Sequence, residues 1–516
     1  MSNSIKNTFF VTTAISYVNG KPHLGHAYEA IACDVLARYK RLSGIKTFFL
    51  TGTDEHGEKN ERSAIKEGLS PQDFTKINSD HFEEMTRYLN ISNDFFIRTS
   101  SEKHHLASKS LWNKLKDNDE IYLDKYGGWY SIIDETFINE DEIKDGPNKN
   151  KIGPSGDNLE WVEEPSYFFK LSKWSEKLLK FYEENPNFIK PKSRRNEVIN
   201  FVKQGLNDLS ISRKRLKWGI KVPNDKEHVM YVWLDALTNY LTAIGYPDET
   251  NLNFKSFWPA NFHVIGKDIV RFHAIYWPAF LMAANIKPPQ TIFCHGFLNI
   301  DGLKMSKSLG NVLSPSELVE NYGLDQLRYF LLREVPFGQD GNFSHSQIVH
   351  RINNDLANDL GNLAQRVLSF VNKNCLAQVP EYSEIIQSDY KFIHKFENLM
   401  HKCNNLINEN LEFHNVLAEI WSCISLANQY IDVNAPWKLR KSNVNRMNTV
   451  LHILLCCIKT ISILLQPFMP NSSSLLLDQL SVNKENRNFS ELNNFFSILP
   501  GTNLPTPMGV FPRFSD

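Results

Sequence analysis

Apolar and polar residues alternate along the first fifty positions in a pattern that predicts a strand, a helix and a second strand. The first strand is predicted over Thr8–Ile15, which is rich in Phe, Val and Thr. An amphipathic helix follows from about His26 to Leu42, Gly44 ends it, and a second apolar run covers Lys46–Leu50. This order predicts a βαβ unit, and therefore a parallel sheet with a ligand crevice at the carboxyl ends of its strands.

From Ile121 to about Val222 the pattern changes, because short aromatic runs alternate with acidic loops and with loops rich in Gly and Asn. This change predicts an insertion rather than a continuation of the same sheet. Strand patterns return at His228–Trp233, Phe262–Ile265 and Thr291–Cys294. Helices separate these runs, as they would in the second half of one split parallel domain.

After residue 310 the apolar spacing becomes almost wholly helical and predicts a helix bundle with short connections. The helices are predicted over Ser314–Tyr322, Gln326–Leu332, His345–Asn372, Asp389–Asn408, Asn415–Ile431 and Asn443–Leu465. The apolar stretch Val450–Pro470 has the length of a membrane span. It contains Lys459 and Gln466, which are costly in lipid, so we interpret it as a buried helix.

The composition is that of an ordinary globular protein. The chain has 516 residues, of which 42% are hydrophobic and 22% charged, so about three domains are expected and a disordered or fibrous chain is excluded. With 57 Lys and Arg against 58 Asp and Glu it is nearly neutral, so a nucleic-acid partner must be held by local basic patches. Lys190–Lys221, with ten basic and two acidic residues, is one candidate, and a solvated basic face is the alternative.

Seven scattered cysteines exclude a disulfide framework and fit reduced thiols. None belongs to a C-x-x-C pair, so no thiolate zinc site is predicted. The segment Met1–Phe9 has neither the apolar core of a signal peptide nor the Arg-rich character of a transit peptide. We therefore expect a cytoplasmic location and no membrane partner.

The sequence His23-Leu24-Gly25-His26 lies between the first predicted strand and its helix. A helix N-terminus offers backbone N–H groups to a phosphate, and a glycine lets the phosphate approach closely. Two histidines can also donate hydrogen bonds to a phosphate whose charge grows in a transition state. The alternative is two ordinary histidines near a turn, and so short a motif does not decide between them.

The sequence Lys304-Met305-Ser306-Lys307-Ser308 follows the turn residues Asp301-Gly302. Two lysines three positions apart, interleaved with hydroxyls, form a compact and mobile cation site for a triphosphate. A solvated loop is the alternative. Because this motif and the histidine motif follow strands from the two halves of one predicted sheet, they occur in the order that a split nucleotide-binding domain requires.

The two motifs resemble the signatures of the class I aminoacyl-tRNA synthetases. Further segments are similar to the methionyl-tRNA synthetase family, and the resemblance extends over nearly the whole chain. These segments are Ala14–Gly20, Gly52–Gly57, Tyr231–Ala236, Gly266–Ile269 with Phe272-His273, and Ala435–Trp437.

The resemblance implies an α/β fold, in which a Rossmann-like parallel-sheet catalytic domain is split by a connective insertion and followed by an all-α anticodon-binding helix bundle. The expected domains are the first half of the catalytic domain (1–120), the connective insertion (121–222), the second half of the catalytic domain (223–310), a stem-contact region (311–360) and the anticodon-binding bundle (361–516). The resemblance also implies a reaction in two steps. L-Methionine and ATP, with Mg²⁺, give methionyl-adenylate and pyrophosphate, and the methionyl group then passes to the 3′-terminal adenosine of tRNA(Met).

By resemblance, the expected catalytic residues are His23, His26, Lys304 and Lys307. The expected ATP-binding residues are those four with Gly25, Gly266, Asp268 and Ser306. The expected methionine-binding residues are Ile15, Tyr17, Asp54, Trp233, Ala236, Leu237, Tyr240, Ile269, Phe272, His273 and Trp277. Asp54 would bind the α-ammonium group, and its alternative role is a helix cap before Glu58. Either Tyr17 or His273 is the expected hydrogen-bond donor to the thioether sulfur.

The anticodon-binding residues implied by the resemblance are Asn362, Arg366 and Trp437, which combine an amide, a guanidinium and an aromatic ring. Because no cysteine lies between Cys33 and Cys294, the form of the family without zinc is expected, and a monomer is the expected oligomeric state. Three alternatives remain at this point: another class I synthetase, a small-molecule nucleotidyltransferase with the same histidine motif, and a non-catalytic tRNA-binding paralogue.

Overall fold

The computed structural model describes residues 7–133, 136–138, 140–146, 150–305 and 310–515. The chain forms two compact units. The first comprises residues 1–33 and 47–295, and the second comprises residues 34–46 and 296–516. Ser306 and Lys307, two of the predicted ATP-binding residues, lie outside the described residues.

The first unit alternates strands and helices in its early part. In chain order these are β1 (Thr8–Thr12), β2 (Ser16–Tyr17), α1 (Leu24–Leu42, which continues into the second unit), β3 (Lys46–Asp54), α2 (Glu58–Lys66), α3 (Pro71–Tyr88), β4 (Phe95–Arg98) and α4 (Glu102–Asp117). The predicted strand, helix and strand at the start of the chain are therefore confirmed, with α1 beginning two residues earlier than expected.

The middle of the first unit is rich in short strands. It contains β5 (Ile121–Ser131), β6 (Thr136–Phe137), β7 (Lys144–Asp145), β8 (Lys151–Ile152), β9 (Glu160–Phe169), α5 (Ser175–Glu184), β10 (Ile189–Lys190), α6 (Lys192–Lys203), β11 (Leu209–Ser210), β12 (Ser212–Arg213), β13 (Lys221–Val222) and β14 (Asp225–Met230). The last part of the unit contains α7 (Val232–Thr242), α8 (Leu252–Phe257), β15 (Phe262–Gly266), a π-helical turn (Phe272–Tyr276), α9 (Trp277–Ala283) and β16 (Ile292–His295).

The main sheet has the strand order β10-β16-β15-β1-β3-β2, and β4 also pairs with β3. Strand β15 is parallel to both β1 and β16, and β3 is parallel to both β2 and β4. The core packs sheet residues such as Phe10, Leu50 and Ile265 against helix residues such as Leu111 and Leu237. The predicted parallel sheet is therefore confirmed.

The prediction that the strand at His228–Trp233 belongs to the parallel sheet is wrong. The observed strand β14 pairs antiparallel with β12 and β13 in a separate three-stranded sheet, and helix α7 begins at Val232. The run from Val229 to Leu234 contains β-branched and aromatic residues, which favour a strand. Because almost every residue of α7 is buried, the helix shows no alternation of apolar and polar positions. Periodicity therefore does not show where strand β14 ends and helix α7 begins.

The second unit has one small sheet and many helices. It contains β17 (Leu298–Ile300), β18 (Leu303–Lys304), α10 (Pro315–Tyr322), α11 (Leu324–Glu334), β19 (Gly341–Phe343), α12 (His345–Arg351), a π-helical segment (Ile352–Gly361), α13 (Asn362–Asn374), α14 (Gln387–Glu397), α15 (Leu399–Asn410), α16 (Phe413–Asn434), α17 (Pro436–Ser442), α18 (Val444–Leu465) and α19 (Pro470–Gln479). The predicted helix bundle is confirmed.

Of two notable helices of the bundle, one differs from the prediction and the other agrees with it. The expected single helix Asp389–Asn408 is interrupted at Asn398, whose side-chain amide donates a hydrogen bond to the His394 carbonyl oxygen at 2.8 Å. Such local bonds compete with helical backbone bonds. Helix α18 is apolar enough to cross a membrane by length and composition, but 94% of its apolar window is buried inside the protein. The prediction of a buried helix over this stretch is confirmed.

A fully buried ion pair joins three parts of the second unit. The Arg328 Nη2 atom on α11 donates hydrogen bonds to Asp34 Oδ2 at 2.6 Å and to the Pro467 carbonyl oxygen at 2.9 Å. Its Nε atom donates to the Phe468 carbonyl oxygen at 2.9 Å. Asp34 lies on α1, and residues 467–468 connect α18 to α19, so one guanidinium group fixes these segments to α11.

We expect Arg328→Met to lower the free energy of unfolding by about 3 kcal/mol, because the substitution removes the fully buried ion-pair partner of Asp34, while the partly exposed Arg38 still donates to the same oxygen at 2.8 Å. Denaturant titration followed by circular dichroism would measure the change. The matched control is Lys402→Met, which removes the exposed ion pair between Lys402 and Glu419 and should cost no more than about 1 kcal/mol. Equal small changes for both variants would show that the buried pair is not a structural constraint.

Candidate functional site

The two histidines of the first motif form a stacked pair where α1 begins. Their ring centroids are 3.8 Å apart, and the rings are inclined by 28°. The backbone N–H of His23 donates to His26 Nδ1 at 3.1 Å, and the backbone N–H of Gly25 donates to His23 Nδ1 at 3.1 Å. Because both Nδ1 atoms accept hydrogen bonds, each neutral ring carries its proton on Nε2. The structure thus makes both side chains Nε2–H donors.

Asp54 is the last residue of β3, opposite Tyr17 of β2 in the parallel ladder. Its carboxylate is buried, and the hydroxyl of Thr99 lies 3.5 Å from its Oδ1 atom. The Asn60 amide donates to the carbonyl oxygens of both Asp54 and His56 at 3.2 Å, which ties the residues after β3 to helix α2. The alternative role as a helix cap is wrong, because Gly57 occupies the N-cap position of α2.

Aromatic residues from α7 and from the segment before α9 form one cluster. The Trp233 ring stacks on the Phe272 ring, with centroids 3.7 Å apart and planes inclined by 5°. The Tyr240 ring stacks on His263 at 3.9 Å and lies 6.0 Å from Trp277. The structure brings five of the eleven predicted methionine-binding side chains together here: Trp233, Tyr240, Phe272, His273 and Trp277. Ile15, Tyr17 and Ile269 are partly buried and pack against the same core.

His273 has both ring nitrogens engaged within this cluster. Its Nδ1 atom lies 3.1 Å from the Ile269 carbonyl oxygen and must be the donor in that bond, so its Nε2 atom accepts from the Tyr240 hydroxyl at 2.7 Å. Burial lowers the pKa of His273 to about 4, so the ring is neutral at physiological pH. The expectation that His273 could donate to a thioether sulfur is therefore wrong in this arrangement, and Tyr17 stays the predicted donor.

Gly266 and Asp268 lie at and just beyond the carboxyl end of β15. A Cβ atom at Gly266 would come within 2.6 Å of Asp268 Oδ1, so a glycine is what allows the carboxylate to approach the backbone there. Asp268 is exposed. In the sheet register Gly266 pairs with His295, the last residue of β16.

Glu29 and His295 form a second polar pair in this unit that the sequence reasoning missed. His295 Nε2 donates to Glu29 Oε2 at 2.8 Å, and the backbone N–H of Ala14 donates to Glu29 Oε1 at 2.8 Å. Burial raises the pKa of Glu29, while His295 opposes that effect. The sequence signal that could have identified this pair is the position of its residues. Glu29 lies three residues after His26, and His295 directly precedes a glycine at a strand end.

Lys304 lies in the second unit, exposed at the end of the hairpin formed by β17 and β18. Its Nζ atom is 5.1 Å from the centroid of the Phe297 ring, and its carbonyl oxygen accepts a hydrogen bond from the Asn311 amide at 3.2 Å. The turn contains Asp301 and Gly302 in left-handed conformations, with φ values of 48° and 80°. The lysine therefore projects from a tight turn on the surface of its unit.

Two of the three predicted anticodon-binding side chains are in contact. The Arg366 guanidinium is 5.6 Å from the centroid of the Trp437 ring, and its Nη2 atom donates to Asp432 Oδ1 at 2.6 Å. Trp437 is 41% exposed, so part of its ring faces solvent. Asn362 is exposed on α13, one helical turn before Arg366.

The basic segment Lys190–Lys221 is not a uniform surface. The side chain of Arg213 is buried, its guanidinium lies 5.1 Å from the Tyr130 ring and 5.0 Å from the Tyr231 ring, and it donates to the Ser212 carbonyl oxygen at 2.7 Å. Arg215 pairs with Glu58 at 2.8 Å. The predicted solvent-facing patch is therefore wrong for Arg213, whereas Arg215 is partly exposed and paired.

Comparison with known proteins covers both units. The family model described as "tRNA synthetases class I (M)" matches residues 9–162 and 148–368. The model described as "Anticodon binding domain of methionyl tRNA ligase" matches residues 379–516.

Within the described ranges, no group of three or more His, Cys, Asp or Glu side chains is arranged to hold a metal ion.

Similar proteins align over their full lengths. Methionine–tRNA ligase from Rhizobium meliloti is 52% identical over 98% of this chain and 98% of its own length. The corresponding ligase from Rickettsia bellii is 51% identical over 99% of this chain and all of its own. The structure of Mycobacterium tuberculosis methionyl-tRNA synthetase in complex with methionyl-adenylate superimposes with a TM-score of 0.96, at 48% identity over 98% of this chain and 100% of that one.

Family models on both units, relatives that are about half identical end to end, and a closely superimposable solved structure agree. The chain belongs to the methionyl-tRNA synthetases, which are class I methionine–tRNA ligases.

Proposed function

We propose that the chain activates L-methionine with ATP to methionyl-adenylate and pyrophosphate, and then transfers the methionyl group to the 3′-terminal adenosine of tRNA(Met). The observation that carries this proposal is the stacked pair of His23 and His26 at the start of α1, with both rings held as Nε2–H donors. Donors of fixed orientation at a helix N-terminus are what a phosphoryl group with growing negative charge requires.

In the first step a carboxylate oxygen of methionine attacks the α-phosphorus of ATP, and the bond to the β-phosphate oxygen breaks. His23 and His26 donate hydrogen bonds to the α-phosphate and the leaving oxygens. Lys304, Ser306 and Lys307 bind the β- and γ-phosphates. No covalent enzyme intermediate is needed, so positioning and charge stabilisation supply the rate enhancement.

A backbone segment and a carboxylate bind the ribose of ATP in this proposal. We assign the ribose hydroxyls to Gly266 and Asp268, because Asp268 is exposed and the glycine lets its carboxylate lie against the strand end. Mg²⁺ enters bound to the phosphates of ATP and neutralises part of their charge. We assign no protein ligand to it.

Methionine binding divides into a polar end and an apolar end. The buried Asp54 carboxylate at the end of β3 binds the α-ammonium group by a charge-assisted hydrogen bond. The aromatic cluster of Trp233, Tyr240, Phe272 and Trp277 surrounds the thioether, whose polarisable sulfur favours ring contacts. Ile15, Tyr17, Ala236, Leu237, Ile269 and His273 complete the proposed pocket.

For tRNA binding, the Trp437 ring with Arg366 and Asn362 offers a stacking surface and polar edges to unstacked anticodon bases. We propose domain limits of 1–120, 121–222, 223–310, 311–360 and 361–516 for these functions. We further propose that the protein acts as a cytoplasmic monomer, which light scattering of the purified protein would test.

The decisive experiment is ATP–pyrophosphate exchange with each of the twenty amino acids in the absence of tRNA. Exchange with methionine alone is the expected result. Exchange with another amino acid would keep the mechanism and overturn the proposed pocket. Exchange with none, combined with intact tRNA binding, would favour a non-catalytic tRNA-binding paralogue.

We expect Tyr240→Phe to raise the KM for methionine in the exchange assay by about tenfold, while the KM for ATP changes by less than about twofold. The substitution removes the hydroxyl that holds the His273 ring in the cluster. Tyr329→Phe is the matched control, since this tyrosine is equally buried and donates to Asp355 Oδ2 in the second unit, outside the proposed pocket. Equal effects of the two variants on methionine would contradict the assignment of Tyr240.

We expect Trp437→Ala to reduce kcat/KM for tRNA charging by roughly 5- to 160-fold, because base–aromatic stacking is worth about 1–3 kcal/mol per base. Methionine-dependent exchange without tRNA should stay within about twofold of the parent protein, since that step needs no anticodon contact. Tyr390→Ala removes another exposed aromatic side chain of the same unit and serves as the control. Loss of exchange together with charging would show that Trp437 is structural.

A further inference from the structure

A buried carboxylate outside the proposed pocket joins two histidines. Asp235 lies on α7 and is completely buried. His56 Nδ1 donates to its Oδ2 atom at 2.7 Å, and His104 Nε2 donates to its Oδ1 atom at 2.7 Å. His56 follows β3 and His104 lies on α4, so one carboxylate connects three segments of the first unit.

The surroundings of this carboxylate keep it charged. Burial by itself would raise the pKa of Asp235, but His56 and His104 outweigh that effect and hold the pKa well below its ordinary value. Close by, His105 lies 5.3 Å from the His56 ring, and burial lowers its pKa to about 4. The Trp218 ring lies 5.2 Å from His56 and covers it.

The chain positions of these residues relate them to the proposed methionine site. His56 is two residues after Asp54, and the Asn60 amide holds the carbonyl oxygens of both residues. On the helix side, Asp235 is two residues after Trp233 and directly precedes Ala236. The hydrogen bond between His56 and Asp235 therefore connects the segment that carries the ammonium-binding carboxylate to the helix that carries the apolar end of the pocket.

The hydrogen bonds to Asp235 fix the orientation of the joined segments, which apolar packing would not do. Replacing a buried ion pair by apolar residues of similar volume is often neutral for stability, so stability alone does not explain such a group. Two imidazole donors at 2.7 Å fix the distance and the orientation between their backbone segments. Sites that discriminate small differences in ligand length depend on this kind of rigid support.

We propose that Asp235 is a positioning residue for amino-acid specificity: through His56 it sets the separation between the Asp54 carboxylate and the pocket face of α7, and thereby the side-chain length that the site accepts. This inference rests on the proposed function. It adds a determinant of specificity that does not touch methionine. The expected substrate class is an unbranched apolar amino acid of the length of methionine, and the side chain longer by one methylene is the one rejected.

The test compares methionine with ethionine, which is longer by one methylene, in ATP–pyrophosphate exchange. We expect the parent protein to prefer methionine by about tenfold or more in kcat/KM. Asp235→Asn preserves the shape of the side chain, but its amide nitrogen cannot accept from an imidazole N–H. We expect this variant to lower the preference to about threefold or less and to raise the KM for methionine, with the KM for ATP nearly unchanged.

Two further variants distinguish positioning of the Asp54 segment through His56 from a general stabilising role of Asp235. His56→Leu has no N–H donor, so it removes the connection to the Asp54 segment, leaves the bond between His104 and Asp235, and should reproduce the loss of preference. His104→Gln leaves the bond between His56 and Asp235 and should preserve most of it. The matched control is Asp389→Asn, another fully buried carboxylate, which is held by Arg446 and Tyr430 in the helical unit and should leave the preference unchanged.

The outcomes are distinct. An unchanged preference in Asp235→Asn and His56→Leu, with equal losses for methionine and ATP, would overturn the inference and leave only a structural role. If Asp235→Asn does not fold, the two histidine variants decide in the same way. Absence of methionine-dependent exchange in the parent protein would overturn the proposed function, and the inference with it. Exchange in the parent protein with no shift in the variants would overturn the inference alone.

Discussion

Parallel strand pairing is the constraint on which the first unit depends. Because β15 is parallel to both β1 and β16, the residues that follow these strands emerge at the same edge of the sheet. Gly266 and His295 lie opposite each other at that edge, and the next helix after β1 and β2 begins at Leu24. The parallel pairing thus places the ends of these strands at one edge of the sheet before any side chain is considered.

Hydrogen bonds within the fold then fix the chemical form of each imidazole. Backbone N–H groups donate to Nδ1 of His23 and His26, whereas a backbone carbonyl oxygen accepts from Nδ1 of His273. The first two rings are therefore Nε2–H donors, and the third offers a lone pair at Nε2 to a tyrosine. The same residue type thus presents an N–H donor at Nε2 in one place and an acceptor at Nε2 in another, according to the backbone group that Nδ1 meets.

The second unit uses buried polar contacts for a structural purpose. Arg328 donates to Asp34 and to two backbone carbonyl oxygens, and Asp389 accepts from Arg446 and Tyr430. Each network joins helices that are distant in sequence. Around them the bundle is apolar, with α18 at its core. A rigid bundle of this kind can present an exposed tryptophan at its surface without losing its own core.

The sequence by itself determined the features that depend on neighbouring residues. Alternation and helical spacing located the first strand, α1, the helices of the bundle and the buried character of α18, because side-chain periodicity is local. Short motifs located His23, His26 and Lys304, since each motif is contiguous. The antiparallel pairing of β14 and the break at Asn398 were not visible, because both depend on which partners compete for the backbone.

Only the tertiary structure decided the contacts between distant segments. His56 and His104 precede Asp235 by 179 and 131 positions, and nothing in their local sequence shows that one carboxylate accepts from both. The burial of Arg213 between two tyrosine rings and the orientation of His273 toward Ile269 were decided in the same way. Local patterns fix elements and motifs, whereas burial and hydrogen-bond partners exist only after the chain has packed.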